Sequence, residues 1–143
     1  MKATENVPVG AVAVNSIVVT REMTVAHFVE TMPEVYGTPI MIFHMESVSG
    51  EAIHKYLPEG WVSVGVHVNV KHLAATPVGA TVTVKAEVLS VDDNTITFAV
   101  EAHDGIDKIG EGTHVRAAIQ MDRFMKRMRQ KTEVRSQESE ARS

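Results

Sequence analysis

Three residues of this chain have the types and spacing to work on a carbonyl group: Thr38, Glu46 and His72. Glu46 lies in a mostly apolar run, Ile40, Met41, Ile42, Phe43 and Met45, continued by Val48, Ile53 and Tyr56, with no Lys or Arg three or four positions away. A carboxylate among apolar side chains without a cation is costly unless it has work to do there. It can attack an electrophilic carbon or direct water onto one. Thr38 precedes Pro39, so the spacing predicts a helix that opens with Thr38 as N-cap and Pro39 in the first turn. That places a hydroxyl and orphan amides at the positive end of a helix dipole. His72 ends a segment in which Val62, Val64, Val66, Val68 and Val70 alternate with Ser63, Gly65, His67, Asn69 and Lys71. A regular strand would put His72 on the valine face, the one expected to pack on the helix. Carboxylate, imidazole, hydroxyl and amides that can hold an oxyanion are the parts for acyl transfer. Thr38 alone reads as a cap, and His72 alone as a strand-end histidine. The set points to chemistry.

Spacing also limits how these groups meet. Thr38 and Glu46 are eight positions apart, about 12 Å along a straight helix. The threonine side chain cannot reach the carboxylate over that distance. Either a substrate bridges them or a second subunit supplies one of them. His27, His44, His54, His67, His103 and His114 read as structural; His44 should point away from Glu46, and His54, His67, His103 and His114 fall on polar faces or turns. No pair of them has metal-ligand spacing with carboxylates, so no metal is expected.

The elements that must position the set follow from periodicity. Residues 9–20 read as a strand, and Val25, Phe28, Val29 and Met32 as a short amphipathic helix. The main helix runs from about Pro39 to Tyr56 and is apolar on so many sides that burial on more than one side is expected. Strands follow at 61–72, 80–91, 95–103 and 109–121, the last with Thr113, Val115, Ala117, Ile119 and Met121 on one face. Phe124 and Met128 could anchor a short helix, with disorder expected beyond Thr132. One long apolar helix and a meander of long strands predict an α+β fold, an antiparallel sheet wrapped around that helix.

Composition narrows the class. With 143 residues and no cysteine, one domain without disulfides or thiol chemistry is expected, and a cytoplasmic location suits it. The start of the chain makes a poor signal peptide, and no run approaches a membrane span. Residues 122–143 hold seven Lys or Arg against four Asp or Glu, so the remainder is strongly acidic. The cluster Arg123, Lys126, Arg127, Arg129, Lys131 could meet phosphates, though a solvated tail is the plainer reading. An acidic body with few aromatics argues against nucleic-acid binding.

The stretches GTPIMIFHMES, VGVHVNVKHLAATPVGATVTVKAEVLSV and AHDGIDKIGEGTHVRAAI, with RFMKRMRQKT after them, resemble the hotdog-fold acyl-CoA thioesterases, most closely the fluoroacetyl-CoA thioesterase-like group, over about residues 8–132. The resemblance implies a hotdog domain over 1–132 with a tail at 133–143. It implies hydrolysis of a small or medium acyl-CoA thioester to free acid and CoA. Thr38, Glu46 and His72 match the group's catalytic residues, and Gly65 and Arg116 its substrate-binding ones. Glu46 would be nucleophile or water-directing base, His72 would polarise or shuttle a proton, and Thr38 would position the acyl group or Glu46. No cofactor is implied beyond the coenzyme A of the substrate, and a homodimer or higher homo-oligomer with interfacial sites is expected. The segment from Val25 to Tyr36 is shorter than in the fluoroacetyl specialist, which carries a phenylalanine lid there; only Phe28 remains before Tyr36. Fluoroacetate selectivity is therefore not implied. Two other readings remain: a hotdog enoyl-CoA hydratase or dehydratase, which would show an Asp–His pair that this helix lacks, and a non-catalytic acyl-CoA-binding module, which would gain by replacing Glu46 with an apolar residue.

Overall fold

The computed structural model describes residues 2–142. Five strands, β1 (Val12–Val18), β2 (Trp61–His72), β3 (Thr81–Asp92), β4 (Thr95–His103) and β5 (Lys108–Gln120), form one antiparallel sheet in the order β1-β3-β4-β5-β2. A four-residue helix α1 (Val25–Phe28) precedes the long helix α2 (Thr38–Ile53), and α3 (Met121–Arg142) follows the sheet. The sheet wraps one side of α2. Met41, Met45, Val48 and Ala52 fall at helical spacing and form the buried stripe of that helix. They meet Val82, Val84, Ala86 and Val88 of β3 and Ile96, Phe98, Val100 and Ala102 of β4, whose strict alternation marks the inner face. Gly110 of β5 makes this approach possible, since a Cβ there would lie 2.6 Å from the Met41 sulfur.

The hotdog architecture anticipated above is present, with four corrections of detail. Helix α2 buries one side only, and Phe43 on the other side is 61% exposed. The N-cap of α2 is Gly37, and Thr38 is the first helical residue. The short helix expected over 24–32 shrinks to α1, because Val29 leaves helical geometry for extended backbone before Met32-Pro33 is reached. Residues 121–142 form one continuous helix, longer than the short helix expected around Phe124 and Met128. Arg, Lys, Gln, Glu and Met fill that segment, and all are good helix formers.

The correction that matters most lies in β2. Gly65 pairs with Arg116 but His67 pairs with Val115, which leaves Val66 as a bulge. A bulge inserts one residue and so exchanges the two faces of the strand beyond it. Before it Ser63 and Gly65 face α2; after it Val70 and His72 do. The single valine face from Val62 to Val70 therefore does not exist. In β5 from Gly112 on, the inward positions are likewise the even ones, His114, Arg116 and Ala118, while Ile109, beside the irregularity opposite Ala102 and His103, is also buried in the core.

Candidate active site

The five residues singled out by sequence separate into two groups, one near each end of the same strand and both against α2. The first group gathers where α2 begins and β2 ends. Thr38 Oγ1 and His72 Nδ1 share a hydrogen bond of 2.6 Å. The other ring nitrogen of His72, Nε2, is buried and has no hydrogen-bond partner among the described residues. Burial holds the imidazole below its ordinary value, with the Ala74 backbone partly opposing, so the ring is neutral at neutral pH. Its Nε2 is thus the one polar atom of the group left to a reactant. In the first turn of α2, Pro39 has no amide hydrogen, and Ile40 and Met41 both donate to Gly37 O. The positive end of the dipole therefore offers the Thr38 amide rather than a set of free amides.

Tyr36 and His44, which sequence reasoning left out, complete this group. Tyr36 is 1% exposed and packs edge-on against His72, with ring centroids 6.5 Å apart. Burial raises its phenol far above the usual range, so the hydroxyl stays protonated, and it shares a hydrogen bond with Nδ1 of His44. The signal was available: Tyr36 and His44 are eight apart and bracket Thr38. Val25, Val35, Leu73, Ala74 and Ala75 join Tyr36, Thr38 and His72 around an open cleft of about 370 Å³. Two loops fix its wall. The Tyr36 amide donates to Thr76 O at 2.8 Å, and Thr76 Oγ1 donates to Asp104 Oδ2 at 2.9 Å. Asp104 Oδ1 in turn accepts from the Ile106 and Asp107 amides, bonds that hold its carboxyl below the usual carboxylate range. The AATP and HDG segments are thereby one structural unit beneath the cleft.

The second group lies two turns along α2. Glu46 is half-buried, and its carboxylate oxygens accept no hydrogen bond among the described residues. Gly65 sits directly over it: a Cβ at that position would lie 3.0 Å from both Glu46 Oε1 and His114 Cε1. No other residue type fits without moving the carboxylate or the imidazole. Arg116 of β5 is held on all sides rather than solvated. Its Nε donates to Ser63 Oγ at 2.8 Å, its Nη2 to Ser63 O at 2.7 Å, and its Nη1 to Glu46 O at 3.3 Å and to His114 Nε2 at 3.2 Å. The guanidinium thus ties β2, β5 and the middle of α2 together, with its charge beside the Glu46 carboxylate.

The imidazole beside Glu46 is His114, not His72. It is 1% exposed, stacks on Phe98 and donates from Nδ1 to His67 O at 2.8 Å. With Nδ1 donating, Nε2 must accept from Arg116, which fixes the neutral tautomer. Burial, with Arg116 adding, depresses its protonation. The sequence placed His114 on a polar face; it lies two positions before Arg116, and recognising either as inward-facing would have exposed the other. Within one chain Glu46 and Thr38 are about 12 Å apart along α2, so the carboxylate does not meet the Thr38–His72 pair.

Comparison with known proteins bears on the whole arrangement. The profile described as fluoroacetyl-CoA-specific thioesterase matches residues 19–122. A fluoroacetyl-CoA thioesterase from Streptantibioticus cattleyicolor is 47% identical over 100 residues, which cover 70% of this chain and 72% of that protein. The solved structure of the fluoroacetyl-CoA thioesterase FlK superposes with a TM-score of 0.85 at 40% identity, covering 89% of this chain and 98% of the other. A thioesterase superfamily member from Thermus thermophilus gives 0.87 at 30% identity, covering 92% and 98%. The chain belongs to the fluoroacetyl-CoA-specific thioesterase family.

Proposed function

We propose that this thioesterase hydrolyses a small acyl-CoA thioester to free acid and CoA in a site completed by a second copy of the chain. One observation carries the reading. The chain holds a bonded Thr38–His72 pair with one open nitrogen, and separately a carboxylate free of hydrogen bonds among the described residues, on one rigid helix too long to let them meet. A two-fold partner brings the carboxylate of one copy to the imidazole of the other. Strand β2 offers the means of joining. It is a sheet edge of 12 residues, unpaired on its outer side among the described residues, with Val66 55% and Val68 38% exposed along it.

In that assembly Glu46 either attacks the thioester carbonyl carbon, forming an acyl–Glu46 anhydride that water then cleaves to the free acid, or directs water onto that carbon; in both routes the carbon–sulfur bond breaks and CoA leaves as the thiol once its sulfur is protonated. His72 Nε2, neutral and unpartnered, serves the proton, and the Thr38 hydroxyl holds the ring through Nδ1. Gly65 leaves room over Glu46, and Arg116 holds Glu46 in place through its backbone carbonyl. The reaction takes no cofactor beyond the coenzyme A of the substrate, and a cytoplasmic setting fits the cysteine-free chain. The acyl end suits the apolar cleft beside Thr38 and His72. Phe28 is 63% exposed and does not line that cleft, so no selectivity for fluoroacetate is proposed.

Subunit complementation tests this. Glu46→Gln and His72→Ala proteins, each impaired alone, are mixed and allowed to exchange subunits, and activity is read above that of either variant. A composite site predicts recovery of about a quarter of wild-type activity, because half the dimers are mixed and each has one intact site. No recovery after verified exchange, or an active monomer by light scattering, contradicts the composite site.

A further inference from the structure

His114 is the only fully buried histidine among the described residues, and the proposed reaction gives it no task. Its surroundings fix it from three strands. Phe98 of β4 stacks on the ring, His67 O of β2 takes the Nδ1 hydrogen, and Arg116 of its own strand meets Nε2. The charged or titratable groups that act on it are Arg116, Glu46 of α2 and His67 of β2.

The hydrogens of Arg116 show what this imidazole does. Nε donates to Ser63 Oγ and Nη2 to Ser63 O, while Nη1 spends its two hydrogens on Glu46 O and His114 Nε2. The Nη1 bonds decide where the charge points. One ties the guanidinium to the backbone of α2 at Glu46, and the other turns it toward His114. Arg116 and the Glu46 carboxylate attract each other but form no ion pair among the described residues. The room for such a pair is small and shared. A Cβ at Gly65 would stand 3.0 Å from both Glu46 Oε1 and His114 Cε1, so the carboxylate and the imidazole edge border the same space. Only an acceptor can keep Nη1 turned away. An imidazolium carries hydrogens on both nitrogens and would confront Nη1 with a second donor, and arginine does not give up its proton.

We propose that His114 is a positioning residue of the hydrolysis: as a neutral acceptor it holds Arg116 on the Glu46 carbonyl and off the Glu46 carboxylate. The assignment rests on the reading of Glu46 as the reacting group, and adds what keeps the neighbouring cation from capturing it. His114 touches no reacting atom and acts through Arg116. Without Nε2, the released Nη1 hydrogen finds an open acceptor in the carboxylate. A guanidinium bonded there occupies the lone pairs that attack carbon or take a proton from water, so the device serves a nucleophile and a base alike.

Two substitutions separate the acceptor from the rest of the ring. His114→Asn keeps a donor for His67 O and leaves Arg116 without a partner, whereas His114→Gln reaches Arg116 with an acceptor oxygen. With acetyl-CoA, His114→Asn should lose kcat about tenfold or more while KM changes by less than about twofold, because substrate still binds to a carboxylate that is no longer free. His114→Gln should recover kcat to within about threefold of the wild type. A crystal structure of His114→Asn should show Arg116 bonded to the Glu46 carboxylate. Wild-type kcat in His114→Asn, or a His114→Gln enzyme as slow as His114→Asn, overturns the assignment, since a side chain that only fills space would cost both variants alike. If His114→Asn does not fold, nitrogen-15 chemical shifts of His114 in the unaltered protein decide. A hydrogen on Nδ1 and a bare Nε2 support the assignment; an imidazolium or an Nε2–H tautomer in the active protein overturns it. Crystal structure and shifts need no turnover. A wild type that cleaves no acyl-CoA would therefore overturn the thioesterase reading, while these two measurements still decide whether His114 keeps Arg116 off Glu46.

Discussion

The two ends of the half of α2 that carries Thr38 and Glu46 are built in opposite ways. At the N-terminal end, Thr38, His72, Tyr36 and His44 satisfy one another, and a chain of bonds through Thr76 to Asp104 holds the wall behind them. Two turns on, the bonds stop short of the Glu46 carboxylate. Arg116 grips the backbone carbonyl of Glu46 and leaves the carboxylate alone, and Gly65 leaves it space. The first region is wired and keeps one atom open; the second is fixed through its scaffold and keeps the whole functional group open. A carboxylate clamped by a guanidinium would be a poor nucleophile, because its lone pairs would already be committed. The contrast shows that Arg116 stabilises the position of Glu46 rather than its charge through a direct bond.

Three experiments sharpen or break this contrast. The largest effect is expected from Glu46→Gln, which keeps shape and burial but removes the attacking oxygen charge. Turnover should fall about a thousandfold or more, with an unchanged denaturation midpoint; Thr38→Ala and His72→Ala should cost comparable or smaller factors. Wild-type-like hydrolysis by Glu46→Gln would end the mechanism. Next is Gly65→Ala. The added methyl would stand 3.0 Å from Glu46 Oε1 and His114 Cε1, so the side chains must give way. We expect kcat to drop about a hundredfold, the scale of a small misplacement, with the dimer and the circular dichroism spectrum retained. Full kcat in the Gly65→Ala enzyme would show that the carboxylate works from another position.

The smallest effect concerns pH. Burial holds His44, His72 and His114 below their ordinary value of 6.5. In the unfolded chain they titrate normally, so below that value the unfolded state binds more protons than the folded one. The stability tied to neutral imidazoles is therefore full above the unfolded value and is lost as pH falls through the folded values. Urea midpoints should be flat in the neutral range and decline below about 6.5, and His114→Asn should flatten the decline. An equal slope in that variant would mean that His114 is not protonated on unfolding.

Much of this was readable before any coordinates. The strands over 61–72 and 95–103 carry period-two alternation with clear turns between them, and the apolar run after Pro39 could only be the central helix. Thr38, Glu46, Gly65, His72 and Arg116 all lie between α2 and the sheet strands that face it. What stayed hidden depends on register. Alternation in β2 looked continuous because valines occupy every even position, and nothing local marks Val66 as the extra residue. Gly65 and His72, an odd number of positions apart, share a face only because of it. The same error of parity hid His114. Tyr36 escaped notice because its value comes from contacts with His44 and His72 that helix start and strand end create only after folding.

The irregularity at Val66 has a further consequence for assembly. A straight, unbroken border of valines would accept any extended peptide that came alongside, in many alignments. With an offset near its middle, the border fits best a ribbon carrying the same offset in the opposite direction, which is another copy of itself rotated by half a turn. If the two-fold pairing proposed above forms along β2, the feature that aims glycine and imidazole inward would also favour a closed pair over an open-ended fibre.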